Sequence, residues 1–368
     1  MKVKLGDIFE ISSGGTPSKS CPEYYGGDVP WVKTGDLKSE YIYGVADFIT
    51  EDGLRNSSAK MYEEDTVLMA MYGATIGATS ILKISACTNQ ACAAFRRNDK
   101  VIPEYLYYFL KSQKEKFVKD GVGGAQPNIS AGYLKKVEME LLLIKEQRIV
   151  VDILDKITNI INRRNQELIA LDELIKARFV EMFGNPVINE KRWRQKSLGE
   201  ITTKIGSGAT PKGGKGAYQE EGITLIRSMN VHNGLFEYRE LAHISDEQAA
   251  KLDNVAIEEN DVLLNITGAS VARSCVVPNK ILPARVNQHV CIIRCKEYIN
   301  PVFLNKLLID DNYQDLLWSV AGAGATREAI TKQQVESLQI IMPPVELQNE
   351  FMRFCNQVDK SKVVEKNI

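Results

Sequence analysis

The sequence lacks the features that define several common protein classes. Its 368 residues include only three histidines, seven cysteines without a C-x-x-C pair, and no apolar run long enough to span a membrane. The N-terminal residues also lack the apolar core of a signal peptide. A histidine-based catalytic site, a zinc site and a membrane anchor are therefore not expected. These absences predict a cytoplasmic protein with no membrane association, in which the cysteines are free, buried thiols.

The chain also has no excess of either charge. Its formal net charge is −1, residues 1–144 carry 17 basic and 18 acidic side chains, and residues 184–344 carry 18 of each. Any nucleic-acid-binding surface must therefore come from the placement of basic side chains rather than from their number.

Catalytic motifs are equally scarce. The segment KIGSGATPKGGKG, Lys204–Gly216, resembles a phosphate-binding loop because Lys215 follows Gly214. However, Gly216 replaces the required serine or threonine, and the glycine spacing is off by one residue. Gly322–Gly324 is a lone G-x-G, too short for a dinucleotide fingerprint. We therefore predict no catalytic site, no metal site and no cofactor.

What the sequence does contain is an internal repeat, which should be sought before other patterns. The offset between matched segments drifts only from 194 to 201 residues, so insertions are small. Three of the matches are EISSGGTPSK (Glu10–Lys19) over KIGSGATPKG (Lys204–Gly213), EEDTVLMAMYGATIG (Glu63–Gly77) over EENDVLLNITGASVA (Glu258–Ala272), and ACTNQACAAFR (Ala86–Arg96) over ARVNQHVCIIR (Ala284–Arg294).

Each repeat reads as a mixed α/β unit followed by a helix. Short β-rich runs such as Asp65–Ala70 precede glycine-containing turns, which is typical of strands. From residue 145 to residue 183 there is neither proline nor glycine, and apolar residues recur at three- and four-residue steps. This pattern predicts a long amphipathic helix that ends at Gly184. A second helix is expected after Pro343 and Pro344.

The predicted fold class is therefore α+β. We expect two repeated mixed α/β domains joined by long helices that pack as an antiparallel coiled coil with pseudo-two-fold symmetry. The expected bounds are 1–144 for the first domain, 145–183 for the central spacer helix, 184–344 for the second domain and 345–368 for the C-terminal helix. The second helix lacks counterparts of residues 168–184. Part of the apolar stripe of the central helix, called the seam, should therefore be uncovered, namely Ile149, Val150, Ile153, Leu154 and Ile157.

Equivalent loops of the two repeats carry side chains suited to base edges and phosphates. In the first repeat the candidates for DNA binding are Ser12, Ser13, Thr16, Ser18, Lys19, Lys33, Thr34, Tyr72, Thr75, Thr88, Asn89, Gln90, Gln126 and Asn128. In the second repeat they are Ser207, Thr210, Lys212, Lys215, Arg227, Asn230, His232, Asn265, Thr267, Asn287, Gln288, His289, Thr326 and Arg327. Polar loops are common, and a structural role for the Asn-Gln pairs, such as closing a turn, is the alternative.

At these residues the chain resembles a known family, the DNA specificity subunit of type I restriction–modification systems. The resemblance covers nearly the whole chain. The motifs that carry it are L-G-D-I-F-E-I-S-S-G-G-T-P-S (Leu5–Ser18), G-A-Q-P-N-I-S (Gly124–Ser130), K-E-Q-R-I-V (Lys145–Val150) and L-D-E-L-I-K-A-R-F-V-E-M-F-G (Leu171–Gly184).

The resemblance implies two target recognition domains, each of which reads half of a split target in double-stranded DNA. It also implies two modification (methyltransferase) subunits and a restriction (endonuclease/translocase) subunit as partners, which would perform the catalysis. The chain itself would then be a non-catalytic specificity subunit. Two other functions stay open at this point: a coiled-coil scaffold that binds only protein, and a nucleotide hydrolase that uses Lys215.

Overall fold

The computed structural model describes residues 1–121, 128–211, 214–322 and 328–366. These residues form two compact units, unit 1 from Met1 to Arg163 and unit 2 from Arg164 to Ile368. The long helix α6 (Ile144–Phe183) includes the boundary between them.

Unit 1 consists of short strands and mostly short helices. Its strands are β1 (Lys2–Lys4), β2 (Ile11–Ser13), β3 (Tyr25–Val32), β4 (Tyr41–Ile42), β5 (Phe48–Ile49), β6 (Met61–Tyr62), β7 (Val67–Ala70), β8 (Thr79–Leu82), β9 (Ala86–Thr88), β10 (Cys92–Phe95) and β11 (Glu138–Glu140). Its helices are α1 (Leu5–Ile8), α2 (Glu51–Arg55), α3 (Pro103–Ser112), α4 (Lys114–Asp120), α5 (Ala131–Lys136) and the first half of α6 (Ile144–Phe183).

Unit 2 has the same kind of composition. Its strands are β12 (Gln195–Ser197), β13 (Thr202–Ser207), β14 (Ile223–Ile226), β15 (Val231–His232), β16 (Leu235–Phe236), β17 (Ala242–Ile244), β18 (Val262–Asn265), β19 (Ser274–Val276), β20 (Ala284–Val286), β21 (Val290–Cys295) and β22 (Gln339–Ile341). Besides the second half of α6, its helices are α7 (Asp246–Ala250), α8 (Pro301–Leu308), α9 (Asp311–Gly322), α10 (Lys332–Ser337) and α11 (Val345–Lys366).

The two units share their strand order. The main sheet runs β2-β10-β7-β8 in unit 1 and β13-β21-β18-β19 in unit 2, and the second sheet runs β5-β3-β9 and β17-β14-β20. The pairs β3-β9 and β14-β20 are parallel, and in unit 1 a further strand, β6, pairs antiparallel with β9. The units differ beside β8 and β19: β4 pairs with β8 in unit 1, whereas β15 and β16 form a separate hairpin in unit 2. The sequence repeat therefore corresponds to a repeated fold, as predicted.

The central strands are buried on both faces. Val67 and Met69 of β7 pack in a cluster with residues of α1, α3, α4 and α5, whereas Leu68 and Ala70 face a second cluster with residues of β3 and β9. Successive side chains of a strand point to opposite faces, so a strand enclosed by helices on one side and a sheet on the other must be apolar throughout. This explains the continuous apolar runs that predicted strands.

Within unit 2, α11 packs antiparallel against the second half of α6. The Phe351 ring lies 5.5 Å from the Phe179 ring and 5.4 Å from the Phe183 ring. Further along, Lys362 Nζ lies 2.7 Å from a carboxylate oxygen of Asp172. Residues later in α11 thus meet residues earlier in α6, which confirms the expected antiparallel pairing of the two long helices.

Both long helices are anchored at their first turn by a buried glutamine. In unit 1 the Gln147 side chain accepts from Ile102 N at 2.9 Å and donates to Lys100 O at 2.8 Å. In unit 2 the Gln348 side chain accepts from Asn300 N at 2.9 Å and donates to Pro343 O at 2.9 Å. Gln147 thus bonds the start of α6 to the loop before α3, and Gln348 bonds the start of α11 to the loop before α8.

The expected uncovered seam is present in part. Ile149, Ile153 and Ile157 are 52%, 52% and 47% exposed. Val150 and Leu154, expected to be uncovered as well, are half-buried. Within the described residues, no helix combines the length and apolar composition that crossing a bilayer requires.

Candidate nucleic-acid interface

In unit 1 the candidate loops meet at one edge of the fold. Strands β2, β3, β7 and β9 all end there, and β10 begins there. Backbone hydrogen bonds join the loops: Gly15 N donates to Thr88 O at 2.9 Å, and Asn89 N donates to Val32 O at 3.0 Å. Ile129 N also donates to Met71 O at 3.0 Å. We call this surface the unit 1 loop edge, which comprises residues 14–20, 33–36, 71–75, 88–91 and 128–130.

Unit 2 has a corresponding edge, in which the bonds from Asn287 N and Ile330 N match those from Asn89 N and Ile129 N in unit 1. Gly208 N donates to Asn287 O at 3.1 Å, Asn287 N donates to Ile226 O at 3.0 Å, and Ile330 N donates to Ile266 O at 2.8 Å. The unit 2 loop edge comprises residues 208–211, 227–230, 266–270, 286–289 and 328–331. Loops that are far apart in sequence thus form one polar surface in each unit.

Glycine in the first of these loops serves close backbone packing. A Cβ on Gly14 would lie 1.9 Å from Thr88 O, and a Cβ on Gly208 would lie 1.8 Å from Val286 O. Both contacts are far shorter than any real Cβ contact, so only glycine fits either position. The glycine-rich stretch that resembles a phosphate-binding loop therefore has a structural reason for its glycine at 208, shared with the first repeat.

One side-chain hydrogen bond recurs in both units. The Thr16 hydroxyl donates to Gln90 Oε1, and the Thr210 hydroxyl donates to Gln288 Oε1. Both glutamines are exposed. In unit 1 the bond links the loop after β2 to the turn before β10. In unit 2 it links the loop after β13 to the turn before β21 in the same way.

The asparagines that precede these glutamines close turns. Asn89 Oδ1 accepts from Ala91 N at 3.1 Å, and Asn287 Oδ1 accepts from His289 N at 3.0 Å. Asn287 is only 5% exposed. An asparagine oxygen that accepts the backbone N–H two residues later is a common turn motif. The two asparagines thus have the structural role that was the alternative to base contact.

Three other candidates are fully buried, and their burial argues against direct contact with DNA. Thr88, Asn230 and Asn265 are each 0% exposed. Asn230 Nδ2 donates to Glu237 O at 3.1 Å, and Asn265 Nδ2 donates to Ser228 O at 2.8 Å. The sequence placed them among the candidates because they are polar residues in equivalent loops of the two repeats. The structure encloses all three, and the Asn230 and Asn265 amides bond to loop backbone from inside.

The remaining unit 1 candidates differ in their surroundings. Ser18 and Lys19 are exposed, whereas Ser13 and Thr34 are half-buried. Lys33 Nζ forms a 2.6 Å ion pair with Asp47 and lies 5.0 Å from the centre of the Trp31 ring.

Among the remaining unit 1 candidates, Tyr72 lies in the loop edge and Ser12 lies outside it. Tyr72 is 43% exposed, faces Asn128 in an isolated β-bridge, and accepts through its carbonyl from the Thr75 hydroxyl at 3.0 Å. Ser12 instead forms a 3.0 Å hydrogen bond with the Tyr62 hydroxyl and lies within the main sheet rather than in a loop.

In unit 2 the candidates are also held by neighbours. Arg227 stacks over Tyr218, 5.6 Å from the ring centre, and donates to Glu240 O. His232 forms a 3.2 Å hydrogen bond with Met229 O, and His289 Nδ1 lies 2.6 Å from Thr267 Oγ1. Ser207 is exposed. Gln126, Lys212, Thr326 and Arg327 lie outside the described residues, as does the side chain of Lys215.

Sequence reasoning missed two aromatic residues that support the first loop of unit 1. The Trp31 indole N–H donates to Gly15 O at 3.1 Å, and the Tyr25 hydroxyl donates to Pro17 O at 2.6 Å. Both lie on β3, where aromatic residues signal a sheet core rather than a binding loop. The sequence around an aromatic residue does not show whether its polar atom bonds to a binding loop or whether it is an ordinary core residue.

The cysteines are free thiols, as expected. Burial raises the pKa of the Cys92 thiol and of the Cys291 thiol to about 12. Because the thiolate is the nucleophilic form, these two side chains are unreactive near neutral pH. Cys21 and Cys295 are only half-buried, so the expectation of burial is wrong for these two.

Comparison with known proteins identifies the family. The model of the type I restriction modification DNA specificity domain matches residues 1–170 and again residues 190–368. The chain is 30% identical over 373 residues to the type I restriction enzyme MjaIX specificity subunit of Methanocaldococcus jannaschii, with 95% of this chain and 84% of that protein covered. It is 26% identical over 164 residues to the type I restriction enzyme EcoR124I/EcoR124II specificity subunit of Escherichia coli, with 43% and 41% covered.

Solved structures share the fold. The S subunit of a type I restriction-modification system from M. genitalium has a TM-score of 0.58 at 14% identity, with 100% of this chain and 91% of that chain covered. A chain from a solved type I R-M system has a TM-score of 0.61 at 17% identity, with 100% and 92% covered. The family model matches twice, and its two matches together cover nearly the whole sequence, so the chain belongs to the family of type I restriction modification DNA specificity subunits.

Proposed function

We propose that this chain is the non-catalytic, sequence-reading subunit of a type I restriction–modification complex and recognises a bipartite target in double-stranded DNA. One observation carries the proposal: backbone hydrogen bonds at matched positions join the loops of both edges, from Asn89 and Ile129 in unit 1 and from Asn287 and Ile330 in unit 2. The two units also share the order of their main-sheet strands. A chain with two equivalent polar surfaces suits a target with two recognised halves. Membership of the specificity family supports this function over a protein-binding scaffold.

The proposed contact set is narrower than the sequence suggested, because it keeps only exposed or half-buried side chains of the loop edges and leaves out Asn89, whose amide oxygen closes a turn. In unit 1 it comprises Thr16, Ser18, Lys19, Lys33, Thr34, Tyr72, Thr75, Gln90 and Asn128. In unit 2 it comprises Thr210, Arg227, Thr267, Gln288 and His289, with Ser207 and His232 at the margin.

The recognition domains are proposed to span 1–144 and 184–344, with 145–183 as the spacer and 345–368 as the closing helix. Two modification subunits and a restriction subunit would dock on the chain and supply methyl transfer and ATP-driven cleavage. The exposed isoleucines of α6 support docking, because contiguous exposed apolar residues usually mark an interface. Chromosomal DNA as the target would place the complex in the cytoplasm.

The test is the methylation pattern of a genome with and without the chain. Cells that express the modification partner alone and cells that express it with the full chain are compared by sequencing that detects methylated bases. We expect one bipartite methylated motif that appears only when the chain is present. An identical pattern in both cultures, with both proteins verified as soluble, would refute the proposal.

A further inference from the structure

The threonine–glutamine bond is the same at equivalent positions of both loop edges. Thr16 and Thr210 are related by the offset of 194, and Gln90 and Gln288 by the offset of 198. In each case the hydroxyl donates to the amide oxygen. The exposure of both glutamines leaves the bond unshielded from solvent. A hydrogen bond in water contributes little to stability, so its recurrence indicates a role in orienting the amide.

The orientation decides what the glutamine can bind. With Oε1 engaged by the hydroxyl, the remaining capacity of each amide lies chiefly in its two N–H donors. N–H donors on an exposed loop suit phosphate oxygens, which occur at every step of the duplex and carry no sequence information.

The residues beside this bond differ between the units. Tyr72 of unit 1 corresponds to Thr267 of unit 2, and Ala91 corresponds to His289. Tyr72 is 43% exposed, whereas the His289 ring is fixed by its 2.6 Å bond to Thr267. Two units that read different bases must differ in the side chains that touch bases, and they can share those that touch phosphates.

The His289 ring has a hydrogen-bonding neighbour at each of its two nitrogens. Its Nε2 lies 3.1 Å from Gln288 Nε2, and an amide nitrogen can only donate, so the ring Nε2 accepts. The ring proton is then on Nδ1 and is donated to Thr267. One N–H of Gln288 is used by His289, and the other remains for an external acceptor.

We propose that Gln90 and Gln288, each oriented by its threonine, make matching sequence-independent contacts to DNA phosphates. Bases are read by Tyr72 in unit 1 and, through the carbon atoms of its ring, by His289 in unit 2, because both ring nitrogens of His289 are already bonded. The proposal rests on the proposed function. It divides the loop edges into a shared part that holds any duplex and a different part in each unit that sets specificity.

The experiment measures binding of the full chain, in complex with its modification subunits, to duplexes with both half-sites randomised. Sequencing of the bound fraction gives the ranking of bases, and titration gives affinity. Gln90→Ala and Gln288→Ala are expected to weaken binding roughly 2- to 10-fold for every sequence, with the ranking unchanged. Tyr72→Ala is expected to change the ranking in one half-site, and His289→Ala in the other.

The threonine provides matched controls. Thr16→Ser keeps the hydroxyl and should retain affinity, whereas Thr16→Val removes it at the same size and should behave as Gln90→Ala does. The unfolding midpoint of each variant verifies that the fold persists. A changed base ranking in Gln90→Ala, an unchanged affinity in that variant, or a merely uniform loss in both Tyr72→Ala and His289→Ala would overturn the proposal. Failure of the unaltered complex to prefer any sequence would instead overturn the proposed function.

Discussion

Gln147 and Gln348 illustrate how single residues carry the repeat. Both are 0% exposed and make the same set of bonds to a preceding loop, although their neighbours in sequence differ. A buried amide is stable only where its donors and acceptor are all matched by partners. This is why a polar residue persists at the start of each long helix.

Gln348→Ala is expected to lower the free energy of unfolding by about 2–5 kcal/mol, because it leaves Asn300 N and Pro343 O buried without a partner. Urea unfolding measures the change. Gln357→Ala, at an exposed position on the same helix, is the control and should have a small effect. Equal stability of the two variants would contradict the anchoring role.

Asn287→Ala tests the turn at the unit 2 loop edge. Loss of the bond from His289 N is expected to cost about 1 kcal/mol of stability. The ranking of bases in the bound target should stay the same, because Asn287 is enclosed. Thermal unfolding measures the first effect, and selection from randomised duplexes measures the second. Unchanged stability with an altered ranking would show that Asn287 contacts a base after all.

At the scale of elements, the long helix α6 is covered differently along its length. Within unit 2, Ile175, Phe179 and Phe183 are buried with Phe351 of α11. In unit 1 the isoleucines at 149, 153 and 157 are about half exposed. A helix with an exposed apolar stripe gains free energy when a partner covers that stripe.

Ile153→Glu is therefore expected to weaken association with a partner chain, either a modification subunit or a second copy. Lys156→Glu, which adds a carboxylate at an exposed position one turn away, serves as the control. Size-exclusion chromatography with light scattering, with and without the modification subunit, measures the association. A monodisperse monomer whose partner binding Ile153→Glu does not change would rule out this interface.

At the scale of the whole molecule, α6 is proposed to set the gap in the bipartite target. Its 40 residues span about 60 Å at about 1.5 Å per residue. Four residues inserted near Asn165 add about 6 Å and roughly one full turn. Because base pairs rise about 3.4 Å each, the non-specific gap should grow by one or two base pairs while the specified bases stay the same.

A two-residue insertion at the same place is the control, because it rotates the helix by about 200° and should abolish binding rather than shift the gap. Methylation sequencing of both variants decides between the outcomes. An unchanged gap in the four-residue insertion would mean that the length of α6 does not set the distance between the two half-sites.

The sequence alone determined the repeat, a helix over 145–183 and the central strands, because those signals are periodic; the structure begins the helix one residue earlier, at Ile144. Only the tertiary structure decided which polar residues face solvent. The buried Asn265 amide donates to Ser228 O, 37 residues away, and the Thr16 hydroxyl donates to Gln90 across 74 residues. Burial and hydrogen bonding depend on residues that the fold brings together. The sequence therefore does not distinguish a polar side chain that is buried beneath a loop from one that is exposed and can contact DNA.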